Sequence, residues 1–218
     1  MLKDMRVQFD RLQDRRRADL GADDAARRGK LLSFYTRIMT KVTDSERCSV
    51  FVNDPDKGKV WLKVGTGVEE AAIEVPKEGS IVGDVIKSGK AVVVADLDTK
   101  AGAHKAVDQQ TGFVTRNILC VPIKSPTRGE ITGAFQILNK KDNRNFSDED
   151  IQLAEEIAGH LQTEVDRIFL DQQVFHFTER LYATANRVVT GLSVGFGVVV
   201  LLLIVAILGR GLLPALAG

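Results

Sequence analysis

The sequence predicts an α+β domain whose mainly antiparallel sheet is flanked by helices, followed by a long exit helix and one transmembrane helix. Short runs of strand-forming residues separated by turn signals occupy residues 48–138, and helical patterns lie on both sides of them. No residue between Arg187 and Arg210 is charged, and this stretch is mostly aliphatic. Strands grouped between helices are typical of α+β domains, and about 20 apolar residues span the hydrocarbon of a bilayer.

Two helices are predicted before the first strand, over Met1–Leu20 and Asp24–Thr43, with an interruption near Gly21. The apolar residues of the second helix recur at helical spacing, so that one face can cover a sheet or a twin helix. Positive and negative charges are mixed through residues 1–30, and the whole chain has a formal net charge of +1. This balance indicates a solvated helix face and predicts no nucleic-acid partner.

Turn and cap residues divide the central region into six predicted strands and one short helix. Asp54–Gly58 supplies turn chemistry, so the strands on either side of it are predicted to form a hairpin. Ser80 is the predicted N-cap, and Gly89 the predicted C-terminal stop, of the helix between them. Residues Leu97–Thr115 are predicted to form a long loop with one helical turn. The predicted strands are Cys48–Asn53, Val60–Val64, Ala71–Val75, Ala91–Asp96, Ile118–Ile123 and Gly133–Leu138.

A long helix is predicted to begin after Ser147, which can cap it, and no proline interrupts the chain before Pro214. Apolar or small residues then recur at alternating spacings of three and four, with Gln172 as a polar interruption. This pattern predicts a coiled-coil seam and a parallel homodimer. Gly191 and Gly195 allow close helix contact within the apolar stretch. The predicted seam residues are Ile151, Ala154, Ala158, Leu161, Val165, Ile168 and Phe175.

The apolar stretch Val188–Leu208 is predicted to be a single membrane-spanning helix. Arg180 and Arg187 precede it and Arg210 alone follows it, which places slightly more positive charge on the amino side. The residues before the span show no export signal, so the N-terminal domain is expected to stay in the cytoplasm. The expected location is therefore the cytoplasmic (inner) membrane, with a single pass and the lipid bilayer as a partner.

Four segments occur in the order RCSVF, GSIVGDVIKSGK, VDQQTGFVTRNILCVPI and NK…F…DED. Together they resemble a GAF domain, in particular the regulatory GAF domains of cyclic-nucleotide phosphodiesterases and certain adenylyl cyclases, over about Asp44–Ile168. The predicted organisation is N-terminal helices over residues 1–43, a GAF domain over 44–168, a connecting helix over 169–187, the transmembrane helix over 188–208 and a short tail over 209–218.

The resemblance implies a ligand pocket on one face of the sheet, with cyclic AMP or cyclic GMP as its ligand. A purine needs a few directional polar groups in a mostly apolar pocket. The chain departs from the family pattern at Gly65-Thr66, where nucleotide binders often have Phe-Asp. His104 stands in place of a lid tyrosine and Gln136 in place of an acidic residue. The implied ligand-binding residues are Ser49, Ile81, Val82, His104, Asp108, Thr111, Thr115 and Gln136.

The residues Asn139, Lys140, Phe146 and Asp148, with Glu149 after them, match the NK…F…DE motif of the family at a shorter spacing. The implied role of this motif is structural. Lys140 is expected to pair with an acid at the start of the exit helix and to hold the strand-to-helix corner.

No catalytic or metal-binding residue is predicted, and the chain is not expected to be an enzyme. Cys48 and Cys120 lie in apolar strand-like runs without CxxC spacing, and the three histidines form no HExxH pair. Two functions stay open. The first is a membrane-tethered sensor that binds a small ligand and signals through a dimeric helix to an unknown effector protein. The second is a ligand-free GAF dimerisation or scaffold module that recruits a partner to the membrane.

Overall fold

The computed structural model describes residues 22–67, 73–97 and 102–212. The helix predicted over Met1–Leu20 and the end of the tail lie outside these residues. The chain divides into two compact units, one that contains the sheet and ends at Gln173, and one that includes the residues from Val174 onward. The elements are α1 (Ala22–Val42), β1 (Ser45–Asp54), β2 (Lys59–Gly65), β3 (Glu74–Pro76), α2 (Ile81–Ser88), β4 (Val92–Val94), α3 (Ala103–Thr111), β5 (Ile118–Lys124), β6 (Ile131–Lys140), a short 3-10 helix (Lys141–Asn143) and α4 (Asp148–Leu212).

The six strands form one antiparallel sheet in the order β3-β2-β1-β6-β5-β4. This architecture confirms the predicted fold class. The hairpin of β1 and β2 and the short helix are also confirmed, because the Ser80 side chain accepts a hydrogen bond from the Gly83 N–H and Gly89 adopts the left-handed conformation at φ 65°. Glycine adopts that conformation without a steric penalty, which is why it ends the helix.

Side chains of the central strands alternate between two buried clusters, one on each face of the sheet. Val50 and Val52 of β1 belong to the cluster that α1 and the first part of α4 cover, which we call the helix-side core. Phe51, between them, belongs to the other cluster, the cavity-side core, together with residues of α2. The strand period of two produces this division. It also fixes which residues of each strand face the cavity described below.

The first part of α4 packs on the sheet of its own chain. Ala154, Ala158, Leu161 and Val165 are at most 3% exposed and belong to the helix-side core. The prediction that a twin helix covers this stretch of the apolar stripe is therefore wrong. Small residues allow the close approach, since a Cβ on Gly133 of β6 would lie 2.8 Å from Val165 Cγ1. Such contact leaves no room there for a second helix.

Gln172, the polar interruption of the stripe, has a specific role in this packing. Its side-chain Oε1 accepts a hydrogen bond from Trp61 Nε1 at 2.6 Å, and its Nε2 donates to the Asn53 carbonyl at 3.2 Å. The amide therefore joins α4 to β1 and β2 at a point where an apolar side chain would leave an indole N–H without a partner. Trp61 is the only tryptophan of the chain, so its fluorescence reports on this junction.

The segment between β4 and β5 is more regular than predicted. In place of one helical turn it contains the nine-residue helix α3. The helix ends where Gly112 adopts φ 65°, and the Thr111 hydroxyl donates to the Val107 carbonyl at 2.9 Å. The run AHKAVDQQT is mostly polar and contains one large apolar residue, Val107, so the sequence alone indicated a loop.

An ion pair holds the corner between β6 and α4. Lys140 and Asp150, 9% and 8% exposed, are joined through the Lys140 Nζ and the Asp150 carboxylate. The same carboxylate accepts from the Ser147 N–H at 2.7 Å. The acid that meets Lys140 is thus Asp150, two residues beyond the motif residue Asp148, which is exposed. Asp150 is the third residue after Ser147, and the two exchange hydrogen bonds that turn the Asp150 carboxylate back toward the strand end. Phe146 is buried beside the Lys140 ammonium.

Beyond the sheet-bearing unit, α4 contains a segment long and apolar enough to cross a membrane, by length and composition. None of the residues in that segment is buried within the chain. The large apolar side chains from Val188 to Ile204 are all exposed. This finding agrees with the predicted transmembrane helix.

Replacing Asp150 by asparagine is expected to lower the free energy of unfolding by about 3 kcal/mol, because Lys140 is then buried without a counter-charge. Burial raises the pKa of Asp150, but the hydrogen bonds from Lys140 and Ser147 together lower it by more, so the net shift of this pKa is downward. A carboxyl with a depressed pKa stabilises the fold above its unfolded value of about 3.9 and loses that effect as the pH falls through the folded value. The difference between wild type and variant is therefore expected to shrink below about pH 4.

Urea unfolding of the full-length chain in detergent, followed by Trp61 fluorescence, measures this difference. Asp148→Asn is the matched control and is expected to change stability by about 0.5 kcal/mol at most, since Asp148 is exposed. Equal effects of the two variants at neutral pH would contradict the assigned role of the ion pair.

Candidate ligand-binding site

A cavity of about 280 Å³ lies on the face of the sheet opposite α1. Strands β1, β5 and β6 contribute its floor through Phe51, Ile118 and Leu138. Helix α2 forms one wall, and α3 with the end of β4 forms another, through residues such as Val82 and Val107. Ligand pockets of small molecules are mostly apolar concave sites of a few hundred Å³. The cavity therefore has the size and lining of a small-molecule site.

Two polar side chains in the cavity lack hydrogen-bond partners. The Nε2 atom of His104, at the start of α3, is buried and makes no hydrogen bond. Gln136 of β6 is 8% exposed, and its side-chain amide makes no hydrogen bond within the described part of the chain. Buried polar groups in proteins are almost always paired, with protein, water or ligand. These two groups can therefore supply the directional contacts of a bound molecule.

The start of α2 is fixed close to the preceding loop. The Ser80 hydroxyl donates to the Pro76 carbonyl at 2.5 Å and accepts from the Gly83 N–H at 3.1 Å. A Cβ on Gly83 would lie 2.0 Å from the Lys77 carbonyl oxygen, so only glycine permits this approach. Ile81 and Val82 are held at the cavity wall in consequence. Because the first N–H groups of a helix have no acceptor within the helix, those at the start of α2 can bond to another group.

Five of the eight residues implied by the family resemblance line the cavity, and three do not. Ser49 lies opposite Gln136 in the β1–β6 register and does not line the cavity. Asp108 accepts hydrogen bonds from the Thr115 N–H at 2.9 Å and hydroxyl at 2.6 Å, so its carboxylate holds the loop after α3. Thr111 donates within its own helix. The residues brought together are Ile81, Val82, His104, Thr115 and Gln136.

The structure adds lining residues that sequence reasoning missed. Phe51 forms part of the floor, and the alternation of β1 indicates it, since its neighbours Val50 and Val52 face the other core. Asp84, an exposed residue of α2, also lines the cavity. It lies one turn after the N-cap Ser80, and i, i+4 residues share a helix face. The other missed lining residues include Leu97 and Gly102.

Asn139 ties the loop that follows α3 to the end of β6. This fully buried residue has a left-handed backbone, with φ 56°. Its side-chain oxygen accepts from the Arg116 N–H at 2.7 Å, and its Nδ2 donates to the Val114 carbonyl at 2.7 Å. Asparagine tolerates this conformation better than most residues. The first residue of the NK motif therefore positions the segment that carries Thr115.

A second layer of contacts continues this network. The Asn117 Oδ1 accepts from the Lys140 N–H at 2.8 Å. Glu46 of β1 accepts from Asn139 Nδ2 at 2.9 Å and forms an ion pair with Arg116. Burial raises the pKa of Glu46, whereas its hydrogen bonds from Asn139 and Arg116 outweigh that effect and lower it. In the TGFVTRN segment, the side chains of Arg116 and Asn117 are thus paired with β1 and β6, whereas those of Thr111 and Thr115 are paired with α3.

The two cysteines are buried on opposite faces of the sheet. Cys48 belongs to the helix-side core and Cys120 to the cavity-side core. Burial raises the pKa of each thiol. Because the thiolate is the reactive form, neither cysteine is activated by its surroundings.

Comparison with known proteins agrees with this geometry. A sequence model of the GAF domain matches residues 28–165. The chain is 31% identical over 115 residues to the "probable 3′,5′-cyclic phosphodiesterase pde-5" of Caenorhabditis elegans, a match that covers 47% of this chain and 15% of that protein. It is 29% identical over 120 residues to the dual 3′,5′-cyclic-AMP and -GMP phosphodiesterase 11A of Takifugu rubripes, covering 50% and 13%.

The chain thus spans only a small part of these relatives. Among solved structures, the GAF domain of a phosphoenolpyruvate-protein phosphotransferase from Coxiella burnetii superposes with a TM-score of 0.56 at 19% identity. That superposition covers 64% of this chain and 83% of the other. At this identity the likeness shows the fold alone, and the fold is the one described above. The family match, covering more than half of the chain, shows that the protein is a member of the GAF domain family.

Proposed function

We propose that this chain is a membrane-tethered regulatory protein whose GAF domain binds a small ligand in the cavity beneath α3. The observation that carries the proposal is a mostly apolar cavity that presents two polar groups, the buried and unpartnered His104 Nε2 and the side chain of Gln136, which makes no hydrogen bond within the described part of the chain. Leaving such groups without partners costs free energy that a bound ligand recovers. GAF domains are regulatory domains, and we propose no catalytic activity for this chain.

The names of the two relatives make cyclic AMP and cyclic GMP the first ligands to test. The cavity supports the base half of such a ligand, because apolar walls and one amide suit a purine ring. Ile81 and Val82 can offer backbone N–H groups at the start of α2. Ser49, Asp108 and Thr111 do not line the cavity. We propose that they contribute to ligand binding indirectly, by supporting the residues around them.

The cavity is connected to α4 through residues that are hydrogen-bonded to one another or adjacent in the chain. Thr115 lines the cavity, and the backbone that follows it is held by Asn139. The next residue, Lys140, is paired with Asp150 in the first turn of α4. We propose that ligand binding shifts the equilibrium between two arrangements of this corner. Such coupling requires that the ligand bind the two arrangements with different affinity.

We propose that the apolar part of α4, Val188–Leu208, anchors the chain as a single-pass span with the GAF domain in the cytoplasm. The support is the exposed apolar surface from Val188 to Ile204 together with the length of the apolar segment. Residues 169–187 then form the connecting helix between the GAF domain and the span.

We further propose that the chain forms a parallel homodimer, through a different seam from the one predicted. After the stretch that packs on the sheet, exposed apolar residues recur at spacings of three, four and seven at Val174, Phe177, Leu181 and Val188. The same spacing reaches Gly191 and Gly195 inside the apolar segment. A heptad stripe of this kind is typical of helix pairs.

The alternative, a ligand-free scaffold that recruits a partner at the membrane, has one observation in its favour. Asp108 and Thr111, two of the residues implied to bind ligand, are instead engaged in hydrogen bonds within the chain. The two functions differ in whether the cavity is occupied when the protein acts.

Filling the cavity tests ligand binding. Val107→Trp, on the inner side of α3, is expected to remove any small molecule retained by the full-length protein purified from its host in detergent. Gln109→Trp, on the exposed side of the same helix, is expected to retain it. Native mass spectrometry measures the adduct. A protein that carries no adduct and shows no saturable binding of cyclic nucleotides or nucleosides up to millimolar concentration would favour the scaffold.

Two lysines in the apolar segment test the anchor. Val198→Lys with Leu202→Lys is expected to cost about 6 kcal/mol of insertion free energy and to move the chain out of the alkali-resistant membrane fraction. Ala183→Lys, in the connecting helix, is expected to leave the distribution unchanged. Full-length wild-type protein in the aqueous fraction after detergent-free lysis would contradict the anchor.

Cysteine cross-linking in membranes tests the seam. Phe177→Cys is expected to give a covalent dimer under mild oxidation, whereas Glu179→Cys, on the opposite side of the helix, is expected to stay monomeric. Both positions are exposed, and the native cysteines are buried, so they do not compete. Equal yields from the two variants, or a higher yield from Glu179→Cys, would contradict the proposed seam.

A further inference from the structure

The charges around the cavity limit what it can bind. Among the described residues that line it, Asp84 is the only one with a formal charge, and no lysine or arginine contributes to the wall. The Asp84 carboxylate forms no ion pair or hydrogen bond within the described part of the chain. Among the described residues, no cation is paired with this carboxylate, so its negative charge acts on the cavity.

A phosphate group in this cavity meets an unfavourable environment. Anion sites in proteins are usually built from arginine, lysine or several convergent N–H groups. Here the start of α2 offers backbone N–H groups, but the Asp84 carboxylate lies on the first two turns of the same helix and lines the same cavity. A like charge reduces the affinity for an anion, and the reduction grows as the site is desolvated.

The unpartnered polar groups favour a different chemistry. A glutamine amide presents an acceptor and a donor side by side, and it pairs with the edge of a heteroaromatic ring that presents the reverse order. The Gln136 amide is more than nine-tenths buried and lines the cavity. His104 Nε2 adds one further hydrogen-bonding atom. Every remaining side chain on the floor, such as Phe51 and Ile118, is apolar.

We infer that the cavity takes an uncharged planar ligand with an adjacent donor and acceptor, of the chemical class of a purine base or nucleoside, in preference to its phosphate ester. Gln136 reads the edge of the ring, His104 supplies a second polar contact, and Asp84 discriminates against anions. The inference rests on the proposed function, since it names the ligand class of the same site.

Two matched pairs of probes test the preference with the full-length protein in detergent: adenosine against cyclic AMP, and guanosine against cyclic GMP. In equilibrium binding, at least one nucleoside is expected to bind at least tenfold more tightly than its cyclic phosphate. Asp84→Asn is expected to reduce the ratio of nucleoside affinity to cyclic-phosphate affinity about fivefold, since only the anion responds to the lost charge. The unfolding midpoint of this variant without probe checks that it is folded.

Gln136→Leu and His104→Phe are each expected to weaken nucleoside binding threefold to tenfold, the effect of one lost neutral hydrogen bond. The unfolding midpoint without probe checks that each variant is folded. If Gln136→Leu is not folded, nucleoside binding by His104→Phe alone tests the polar contacts. Cyclic phosphates that bind as tightly as the nucleosides in both pairs would overturn the inference and leave the proposed function intact. A native adduct that carries phosphate would do the same. A cavity that binds no nucleoside overturns the inference, and if no adduct is retained either, the proposed function fails with it.

Discussion

The buried ion pair of Lys140 and Asp150 is the contact on which the rest of the arrangement depends. Strand β6 is central in the sheet, and it ends at the point where α4 begins. The pair fixes that corner, and the corner aligns the small residues of α4 with the sheet. Because either charge is costly when buried alone, the pair favours the closed junction over arrangements that separate Lys140 from Asp150.

The same strand end controls the cavity. Asn139, directly before Lys140, accepts and donates hydrogen bonds to the backbone around Thr115, so the loop after α3 is attached to the corner through adjacent residues. The motif NK therefore serves two purposes. Its lysine holds the helix, and its asparagine holds the wall of the cavity. A ligand that alters the position of this loop acts on residues one peptide bond from the helix junction.

The cavity lies on the face of the sheet where the family resemblance implies a pocket, but several of its side chains depart from the family pattern. The floor and walls follow the GAF architecture, with one helix on each side and strands beneath. Within that frame, Gln136 and His104 stand where the resemblance implies an acid and a tyrosine, and Asp84 adds an uncompensated charge. The family resemblance therefore indicates where a ligand is expected, and the side chains of this chain carry the proposal about its chemistry.

Local patterns in the sequence determined the order of the elements other than α3, the caps at Ser80 and Gly89, the family and the apolar segment of α4, since turn residues, periodicity and motifs act over a few residues. The division of the sheet into two faces follows from the alternation of side chains along each strand.

Tertiary structure alone decided which residues pair across long separations in the sequence. The stripe of α4 is apolar whether it meets a sheet or a second helix, so its sequence does not say that Ala154 and Leu161 lie on the chain's own sheet. Asp148, Glu149 and Asp150 all carry a carboxylate, and the geometry of the corner decides that Asp150 is the one that pairs with Lys140. Asp108 and Thr115 were both plausible ligand contacts by type, but folding brought them to each other, because a buried hydrogen bond within the chain satisfies groups that a ligand otherwise must.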